Sequence, residues 1–364
     1  MKKKLMALGL VMAMALTTAA CGAGASNGSA SSTAPASSEA AAPASSEAAA
    51  PAGESAVEGD KQELTLFAAS ISENTPTGVG LKAMADYINA NSNGTLEAVE
   101  FYDTALGDAS GLTEALKMGT VDIGVSGTAY FSSLVPEIEV FQLPFLFSDL
   151  EQARAATSGP VAEEINEMFA PHGIIGLSFW ENGFRELSNN KREVKTPADM
   201  NGIKMRTLGA KVQIATWDAF GAMTTQIDAS ELYTSLQQGT IDAQDNPLHE
   251  IVSRKLYEVQ PYVSLTDATY TPFYMAISKA KWDLLSDSQK ALVQEAAAVG
   301  REAQLAATDE AQASAKQTLI DNGVTVTEDV DKAAFQELAM PQWEIFTSVS
   351  ETAVKLLEEV QAGM

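Results

Sequence analysis

The stretch DASGLTEALKMGTVD at Asp108–Asp122 recurs as DASELYTSLQQGTID at Asp228–Asp242, at a constant spacing of 120 residues. Eight of the fifteen positions are identical. In each copy, two leucines four residues apart give a helix a buried face, a glycine suits its left-handed cap, and an apolar strand follows (Val121–Val125 and Ile241–Gln244). The repeat predicts two α/β lobes of similar construction, each containing this helix–glycine–strand element.

The surrounding sequence alternates between strand and helix patterns. Glu63–Ala69 and Leu96–Tyr102 alternate like half-buried strands, with a helical pattern over 78–90 between them. Ile174–Trp180 is a short apolar run typical of a buried strand, and Ile203–Thr207 is a further strand candidate. Strands that alternate with helices predict an α/β architecture.

One predicted helix is unusually long. Ser286–Gln289 forms a capping box, and the next stop signal is Asn322-Gly323. A single helix between these signals would measure about 54 Å, longer than one lobe. It would therefore run along both lobes and brace them. The alternative is two helices broken near Gly300.

Composition excludes several classes of protein. The 364 residues include 48 acidic and 23 basic side chains, so the net charge of −25 argues against a nucleic-acid partner. One cysteine cannot form an internal disulfide, and two histidines argue against a histidine metal site. The usual nucleophile, phosphate-loop, zinc and dinucleotide motifs are absent from the sequence, so we predict neither an enzyme nor a cofactor. His172 and His249 are predicted to be surface or turn residues.

The N-terminus has the features of an export signal. Three lysines precede an apolar stretch over 5–16, which is too short to span a bilayer. Small residues then lead to Cys21. We expect residues 1–20 to be a signal peptide and Cys21 to be the lipidated N-terminus of a lipoprotein. The alternative is an ordinary signal peptide with an incidental cysteine.

Residues 21–60 read as a tether. The segment consists largely of Ala, Ser, Pro, Glu and Gly, and it repeats an eight-residue unit from Ala34 and again from Ala42. Its apolar surface is too small to offset the entropy lost on folding, so we expect it to be a disordered linker between a membrane anchor and the folded part.

The few arginines point to an anion site. The chain has six, and Arg206 lies near the carboxyl end of the strand predicted at Ile203–Thr207. Open α/β sheets bind ligands beyond the carboxyl ends of their strands, and a guanidinium pairs bidentately with a carboxylate. Arg185 follows the strand at Ile174–Trp180. The alternative for either residue is a surface salt bridge.

Several ordered motifs resemble one family. They are Leu106-Gly107, Leu143–Phe147, Trp180–Arg185, Asp199–Arg206, Glu231–Pro247 and Lys255–Gln260. Together they run through most of 61–290 and are similar to the extracytoplasmic solute receptors of TRAP (tripartite ATP-independent periplasmic) transporters of the C4-dicarboxylate type.

The resemblance implies a two-lobe, periplasmic-binding-protein-like α/β fold with crossing strands and a long lobe-spanning helix. We expect residues 61–182 plus 272–305 to form lobe 1, and residues 183–271 plus 306–364 to form lobe 2 with the C-terminal helices. Such a receptor closes on a small organic acid and delivers it to the membrane subunits of a TRAP permease. It works outside the cytoplasm, and here its contact with the membrane would be the lipid on Cys21.

The resemblance also implies a set of site residues. Arg206 matches the family's carboxylate-clamping arginine, Arg185 its second arginine, and Asn246 its site asparagine, here in the motif Gln-Asp-Asn-Pro. Glu181 belongs to the motif that ends at Arg185. Ser126 stands where some sialic-acid-type members have Glu, and Ala268 stands where much of the family has His. The resemblance therefore does not determine which groups bind the ligand away from its carboxylate. Trp180, Tyr270 and Phe273 are candidates for apolar walls, with simple core packing as the alternative.

Two other functions stay open from the sequence. The chain could be a lipid-anchored receptor for another transporter or a chemosensor, or a secreted enzyme on a two-lobe scaffold. C4-dicarboxylates, sugar acids, keto acids and aromatic acids all fit one carboxylate clamp.

Overall fold

The computed structural model describes residues 57–364; the predicted signal peptide, Cys21 and most of the predicted tether lie outside this part. Its strands are β1 Gln62–Ala69, β2 Leu96–Asp103, β3 Ile123–Gly127, β4 Ile174–Asn189, β5 Lys204–Thr207, β6 Met223–Gln226, β7 Ala243–Asn246, β8 Tyr262–Ser278 and β9 Thr325–Thr327. Its α-helices are α1 Pro76–Asn91, α2 Leu112–Met118, α3 Leu150–Ala156, α4 Pro160–Met168, α5 Lys211–Ala219, α6 Leu232–Gln237, α7 Leu248–Ser253, α8 Lys279–Trp282, α9 Asp287–Asp321, α10 Lys332–Ala339, α11 Trp343–Thr347 and α12 Glu351–Ala362. Short 3-10 helices cover Thr128–Tyr130, Pro136–Gln142, Ala170–His172, Pro197–Met200, Ala229–Glu231, Leu256–Glu258 and Met340–Gln342.

The strands form one sheet in the order β2-β1-β3-β8-β4-β7-β5-β6, with β9 paired to β8. Two parallel triplets flank its centre: the first triplet is β1, β2 and β3, and the second triplet is β5, β6 and β7. The antiparallel strands β4 and β8 lie between them and join them. The α/β fold with crossing strands is confirmed.

The crossing strands are far longer than the sequence pattern indicated. β4 has 16 residues, whereas the apolar run predicted a strand only over Ile174–Trp180. Most of its remaining residues, from Glu181 to Asn189, are polar yet buried. Their side chains find partners: Arg154 pairs with Glu181, and Asp245 pairs with Arg185. Because buried polar groups that are hydrogen-bonded can occupy a central strand, hydrophobicity alone missed this segment.

The sequence repeat corresponds to one structural unit in each triplet. α2 is followed by Gly119 with φ 68°, and α6 is followed, after Gln238, by Gly239 with φ 70°; both glycines have the left-handed conformation that glycine adopts without strain. β3 and β7 then follow. The aspartate that closes each copy accepts a backbone N–H from the parallel neighbour: Asp122 from Thr65 at 2.9 Å, and Asp242 from Lys204 at 3.1 Å. The predicted helix–glycine–strand repeat is confirmed.

The long helix is a single element. α9 runs unbroken for 35 residues, about 52 Å, from the predicted capping box at Ser286 and Gln289. It packs against α1 beside the first triplet and against α7 beside the second, and it also contacts the crossing strand β4. The helix therefore spans both halves of the sheet, as the sequence predicted.

Gly300 does not break α9 because it serves a close helix contact. A Cβ placed on Gly300 would lie 2.8 Å from the Trp180 ring and 2.9 Å from the carbonyl oxygen of Gly80 in α1. A Cβ on Gly80 would lie 2.7 Å from the carbonyl oxygen of Gly300. Two glycines thus let α1 and α9 approach each other over the buried indole of Trp180.

The C-terminal helices pack on two different buried clusters. Phe335 of α10 packs on Phe220 beside the second triplet. Phe346 of α11 and Leu356 of α12 join the buried cluster that contains Phe141, which precedes β4. The predicted lobe boundaries, which gave all of 306–364 to lobe 2, stay a prediction. Among residues 57–364, no helix is both long and apolar enough to cross a bilayer.

We expect Gly300→Ala to lower the free energy of unfolding by about 1–3 kcal/mol, because the added methyl group overpacks the contact with Trp180 and Gly80. The direction of this change is informative, because replacing glycine by alanine inside a helix ordinarily raises the free energy of unfolding by about 1 kcal/mol. Urea denaturation measures the change. Ser314→Ala, at an exposed position of the same helix, is the control and should change stability by less than about 0.5 kcal/mol. A Gly300→Ala protein as stable as the parent would contradict the packing account.

Candidate ligand-binding cavity

A small cavity of about 40 Å³ lies where the two triplets face each other. Its lining includes residues at or next to the carboxyl ends of four parallel strands: Ala69 of β1, Ser126 of β3, Arg206 of β5 and Asn246 of β7. Ser126 and Asn246 are 120 residues apart and so occupy equivalent positions of the repeat. The crossing strands contribute Asn182, Arg185, Thr271 and Phe273. The location follows the rule that α/β sheets bind ligands beyond the carboxyl ends of their strands.

Arg206 is buried in the cavity wall without a counter-ion. Its side chain is 1% exposed, and its Nε donates to the carbonyl oxygen of Ile227 at 2.8 Å. Within residues 57–364, Arg206 Nη2 has no hydrogen-bond partner, and the Arg206 side chain forms no ion pair. Burial, together with the nearby charge of Arg185, lowers the pKa of Arg206 from its usual range. A guanidinium stays charged even so, because its ordinary pKa lies far above neutral pH. The wall therefore holds a positive charge that nothing in the described chain neutralises.

Arg185 has a different environment, because it is already paired. Its Nε lies 2.9 Å from Asp245 Oδ2, and both side chains are 2% exposed. Its Nη2 donates to the carbonyl and carboxylate oxygens of Asp245, and its Nη1 donates to Thr271 Oγ1 at 3.3 Å. A guanidinium has five N–H donors, so these contacts leave one Nη1 hydrogen for a ligand. Arg185 is thus a neutralised, fixed side chain in the wall.

Asn246 and Ser126 face the cavity through short side chains. Asn246 Nδ2 donates to Gln244 Oε1 at 2.5 Å, and the backbone of Asn246 pairs with that of Glu186 in β4. Ser126 Oγ donates to the carbonyl oxygen of Ala69 at 3.3 Å. Phe273 of β8 is the one predicted wall aromatic that lines the cavity.

Three of the predicted site residues lie elsewhere, and each is held by other partners. Trp180 is packed between α1 and α9. The carboxylate of Glu181 accepts two N–H groups from Arg154, at 2.7 and 2.8 Å. Tyr270 packs edge-on against Phe147 and Phe184 in a separate core. For Trp180 and Tyr270, the structure therefore shows core packing in place of a cavity wall.

The histidines differ from each other. His172 is exposed, as predicted, but His249 is buried, so the prediction of a surface or turn position is wrong for it. Its Nε2 lies 2.9 Å from the carbonyl oxygen of Asn182 in the crossing strand β4. The short helix α7, which packs against α9, carries it there. No group of metal-ligating side chains occurs within residues 57–364.

Sequence reasoning missed two charged residues of the cavity, Glu250 and Arg254. They are four residues apart on α7, which is the spacing of an ordinary surface ion pair on a helix. In the structure both are largely buried, and Arg254 Nε lies 2.5 Å from Glu250 Oε2. Arg254 Nη2 also donates to the carbonyl oxygen of Ser70, beyond β1 in the other half. The one sequence signal was their position just after Asn246-Pro247.

The two halves meet beside the cavity through further polar contacts. Asp228 is the first residue of the second repeat. Its carboxylate accepts a hydrogen bond from Ser70 Oγ at 3.3 Å and another from the backbone N–H of Ser110 at 3.2 Å. The backbone N–H of Ala229 donates to the hydroxyl of Tyr130 at 3.1 Å. These contacts join the two halves beside the cavity, and the one between Ser110 and Asp228 joins the first residues of the two repeats.

The contrast between the two arginines predicts opposite effects of one substitution. In ligand-free protein we expect Arg206→Met to leave the free energy of unfolding unchanged or raised, because it removes a buried charge that has no partner. Arg185→Met should lower it by about 3–5 kcal/mol, because it leaves Asp245 buried and unpaired. Urea denaturation of both variants makes the comparison. Equal destabilisation by the two would contradict the view that Arg206 is unpaired.

Comparison with known proteins agrees with this geometry. The sequence profile of bacterial extracellular solute-binding proteins, family 7, matches residues 67–349. The chain is 35% identical over 277 residues to the 2,3-diketo-L-gulonate-binding periplasmic protein YiaO of Escherichia coli (strain K12), an alignment that covers 74% of this chain and 83% of that protein.

Solved structures give the same result. The sugar acid binding protein DctPAm of Advenella mimigardefordensis strain DPN7T, in complex with galactonate, superimposes with a TM-score of 0.80 at 31% identity, over 84% of this chain and 100% of that one. A TRAP periplasmic solute binding protein of Polaromonas sp. JS666, bound to D-erythronate, gives 0.79 at 31% identity, over 83% and 99%. The resemblance found in the motifs is confirmed: the chain belongs to family 7 of the bacterial extracellular solute-binding proteins, among the solute receptors of TRAP transporters.

Proposed function

We propose that this protein is the extracytoplasmic receptor of a TRAP transporter and that it captures a small organic acid through Arg206. The observation that carries the proposal is the buried guanidinium of Arg206, whose Nη2 faces no partner in the described chain. A carboxylate supplies both the missing hydrogen-bond acceptor and the missing negative charge. Hydrogen bonds between ionised groups are about twice as strong as neutral ones, and they gain further where water is excluded.

The relatives support an organic acid as the ligand. 2,3-Diketo-L-gulonate, galactonate and D-erythronate, which the three related proteins are described as binding, each carry one carboxylate on a short oxygenated carbon chain. Two or three charged hydrogen bonds, each worth about 1.5–3 kcal/mol, together with buried ligand surface, suit a micromolar dissociation constant.

Closure explains how binding is signalled to the membrane. A ligand held by Arg206 on β5 also touches Ser126 on β3 and the crossing strands, so it contacts both halves of the sheet at once. A ligand stabilises the state in which it makes more contacts, which here is the closed one. The closed form would then dock on the membrane subunits of the permease and release the acid.

We expect Arg206→Ala to abolish binding of the acid while the protein stays folded. The ligand is first found by a thermal-shift screen of protein that has been unfolded and refolded, using C4-dicarboxylates, sugar acids, keto acids, neutral sugars and peptides. At 100 times its dissociation constant a ligand adds about 2.7 kcal/mol of stability, which such a screen detects. Isothermal titration calorimetry of the variant then tests the clamp.

The matched control is Arg192→Ala, which removes an exposed arginine of the same half and should leave affinity unchanged. Retained affinity in Arg206→Ala would refute the clamp. Shifts only with neutral sugars or peptides would refute an organic acid as the ligand.

We also propose that Cys21 is lipidated and that residues 22–60 tether the receptor to a membrane. The support is the sequence alone, namely the chain's one cysteine at the end of an export signal. Cys21→Ser should move the protein from the membrane fraction to the soluble fraction of the cells that make it. Mass spectrometry of the wild-type N-terminal peptide should show a lipid adduct on Cys21. An unmodified peptide would refute the anchor.

A further inference from the structure

Four buried polar atoms of the cavity lining have no hydrogen-bond partner within the described chain. Two are donors, Arg206 Nη2 and Gln142 Nε2, and two are acceptors, Asn182 Oδ1 and Glu250 Oε1. All four side chains are at least nine-tenths buried. Buried polar groups without partners are costly, so a ligand that satisfies all four gains most. Such a ligand must both accept and donate hydrogen bonds.

The charges of the cavity favour a single negative charge on the ligand. Of the lining residues, all within the described chain, four are charged: Arg185, Arg206, Arg254 and Glu250. Asp245, behind the wall, pairs with Arg185, and Glu250 pairs with Arg254. Arg206 is then the one charged lining residue without an ion-pair partner in the described chain. A monocarboxylate neutralises it, whereas a dicarboxylate adds a further negative charge among buried side chains.

Glu250 is the residue that this further charge would meet. Its side chain is 2% exposed, one oxygen is held by Arg254, and the other oxygen is unpartnered. Burial alone would raise the pKa of Glu250, but the charge of Arg254 lowers it below the usual value. Glu250 is therefore an ionised carboxylate, which accepts hydrogen bonds and repels a second carboxylate.

We infer that Glu250, held in place by Arg254, makes this receptor select singly charged hydroxy acids over dicarboxylates. The carboxylate of such an acid pairs with Arg206, and its hydroxyl groups donate to Glu250 and Asn182. This inference rests on the proposed function, because it takes the Arg206 clamp as given. An ionised dicarboxylate without hydroxyl groups, such as succinate, has no donor for Glu250 or Asn182, and in any dicarboxylate the second carboxylate meets the negative charge of Glu250. An amino acid offers an ammonium donor but brings a positive charge next to Arg254.

Matched acids test the selectivity directly. D-Galactonate and galactarate share one carbon skeleton and differ by a second carboxylate, and D-erythronate and succinate form a four-carbon pair. Calorimetry with the purified, refolded wild-type protein should show the hydroxy monocarboxylate binding at least about tenfold tighter than its dicarboxylate partner in the pair that fits the cavity. Dicarboxylates binding equally or tighter would overturn the inference, as would 4-aminobutyrate binding tighter than D-erythronate.

Glu250→Gln assigns the selectivity to this residue. The variant keeps the size of the side chain, removes its charge and leaves Arg254 unpaired. Because dicarboxylate binding should then improve, the ratio of monocarboxylate to dicarboxylate affinity should fall by at least about tenfold. Glu181→Gln is the matched control: Glu181 is equally buried and arginine-paired but lies outside the cavity, so the variant should keep the wild-type ratio.

The outcomes separate the two proposals. An unchanged ratio in folded Glu250→Gln would overturn the role of Glu250 while leaving the Arg206 clamp intact. Binding by no organic acid would refute the proposed function itself, and the selectivity with it. If Glu250→Gln does not fold, the wild-type comparison of matched acids still decides whether dicarboxylates are rejected.

Discussion

The pairing of β4 with β8 is the constraint on which the rest of the structure depends. These two long antiparallel strands lie at the centre of the sheet, and each triplet is attached to one of them: the first through β3 on β8, and the second through β7 on β4. The repeat units can therefore face each other only across these strands. Because the parallel strands of both triplets end toward the same place, one cavity forms there, and the crossing strands supply part of its wall.

The crossing strands also explain why polar residues are buried at the centre of the molecule. Arg185 of β4 reaches Asp245 of β7 and Thr271 of β8, so one hydrogen-bonded group connects three strands. On the other side of β4, Gln304 of α9 donates to the carbonyl oxygen of Glu181 and ties the long helix to the same strand. Rigid partners of this kind hold the cavity wall in shape. Arg206 therefore keeps its place in the wall although it has no ion-pair partner.

An acidic protein can pair nearly any arginine, so an unpaired one is informative. Within the described chain, the two other arginines of the cavity are each matched by a buried carboxylate, and Arg206 is not. Its desolvation is a cost to the folded protein that a bound anion removes. The binding energy and the specificity for an anion thus have the same origin, because the site lacks one negative charge at the position of Arg206.

Much of the fold was accessible from the sequence, because local rules act where the chain repeats or caps itself. The Asp108 and Asp228 repeats predicted their helix–glycine–strand units, and the capping box at Ser286 predicted the long helix. The crossing strands were missed because their polar residues are satisfied only by distant partners. Arg206 was identified as the clamp candidate because it lies near the carboxyl end of a predicted strand. Glu250 was missed because only tertiary packing turns an ordinary i,i+4 ion pair into a buried charge that lines a cavity.

The most direct test of the central claim is a crystal structure of the protein with the organic acid that stabilises it most. The account predicts one carboxylate oxygen about 2.7–2.9 Å from Arg206 Nη2, the length of a charged hydrogen bond. It also predicts that Arg185 and Arg254 keep their pairs with Asp245 and Glu250. A carboxylate bound instead to Arg185 or Arg254, with Arg206 Nη2 still unpartnered, would contradict it.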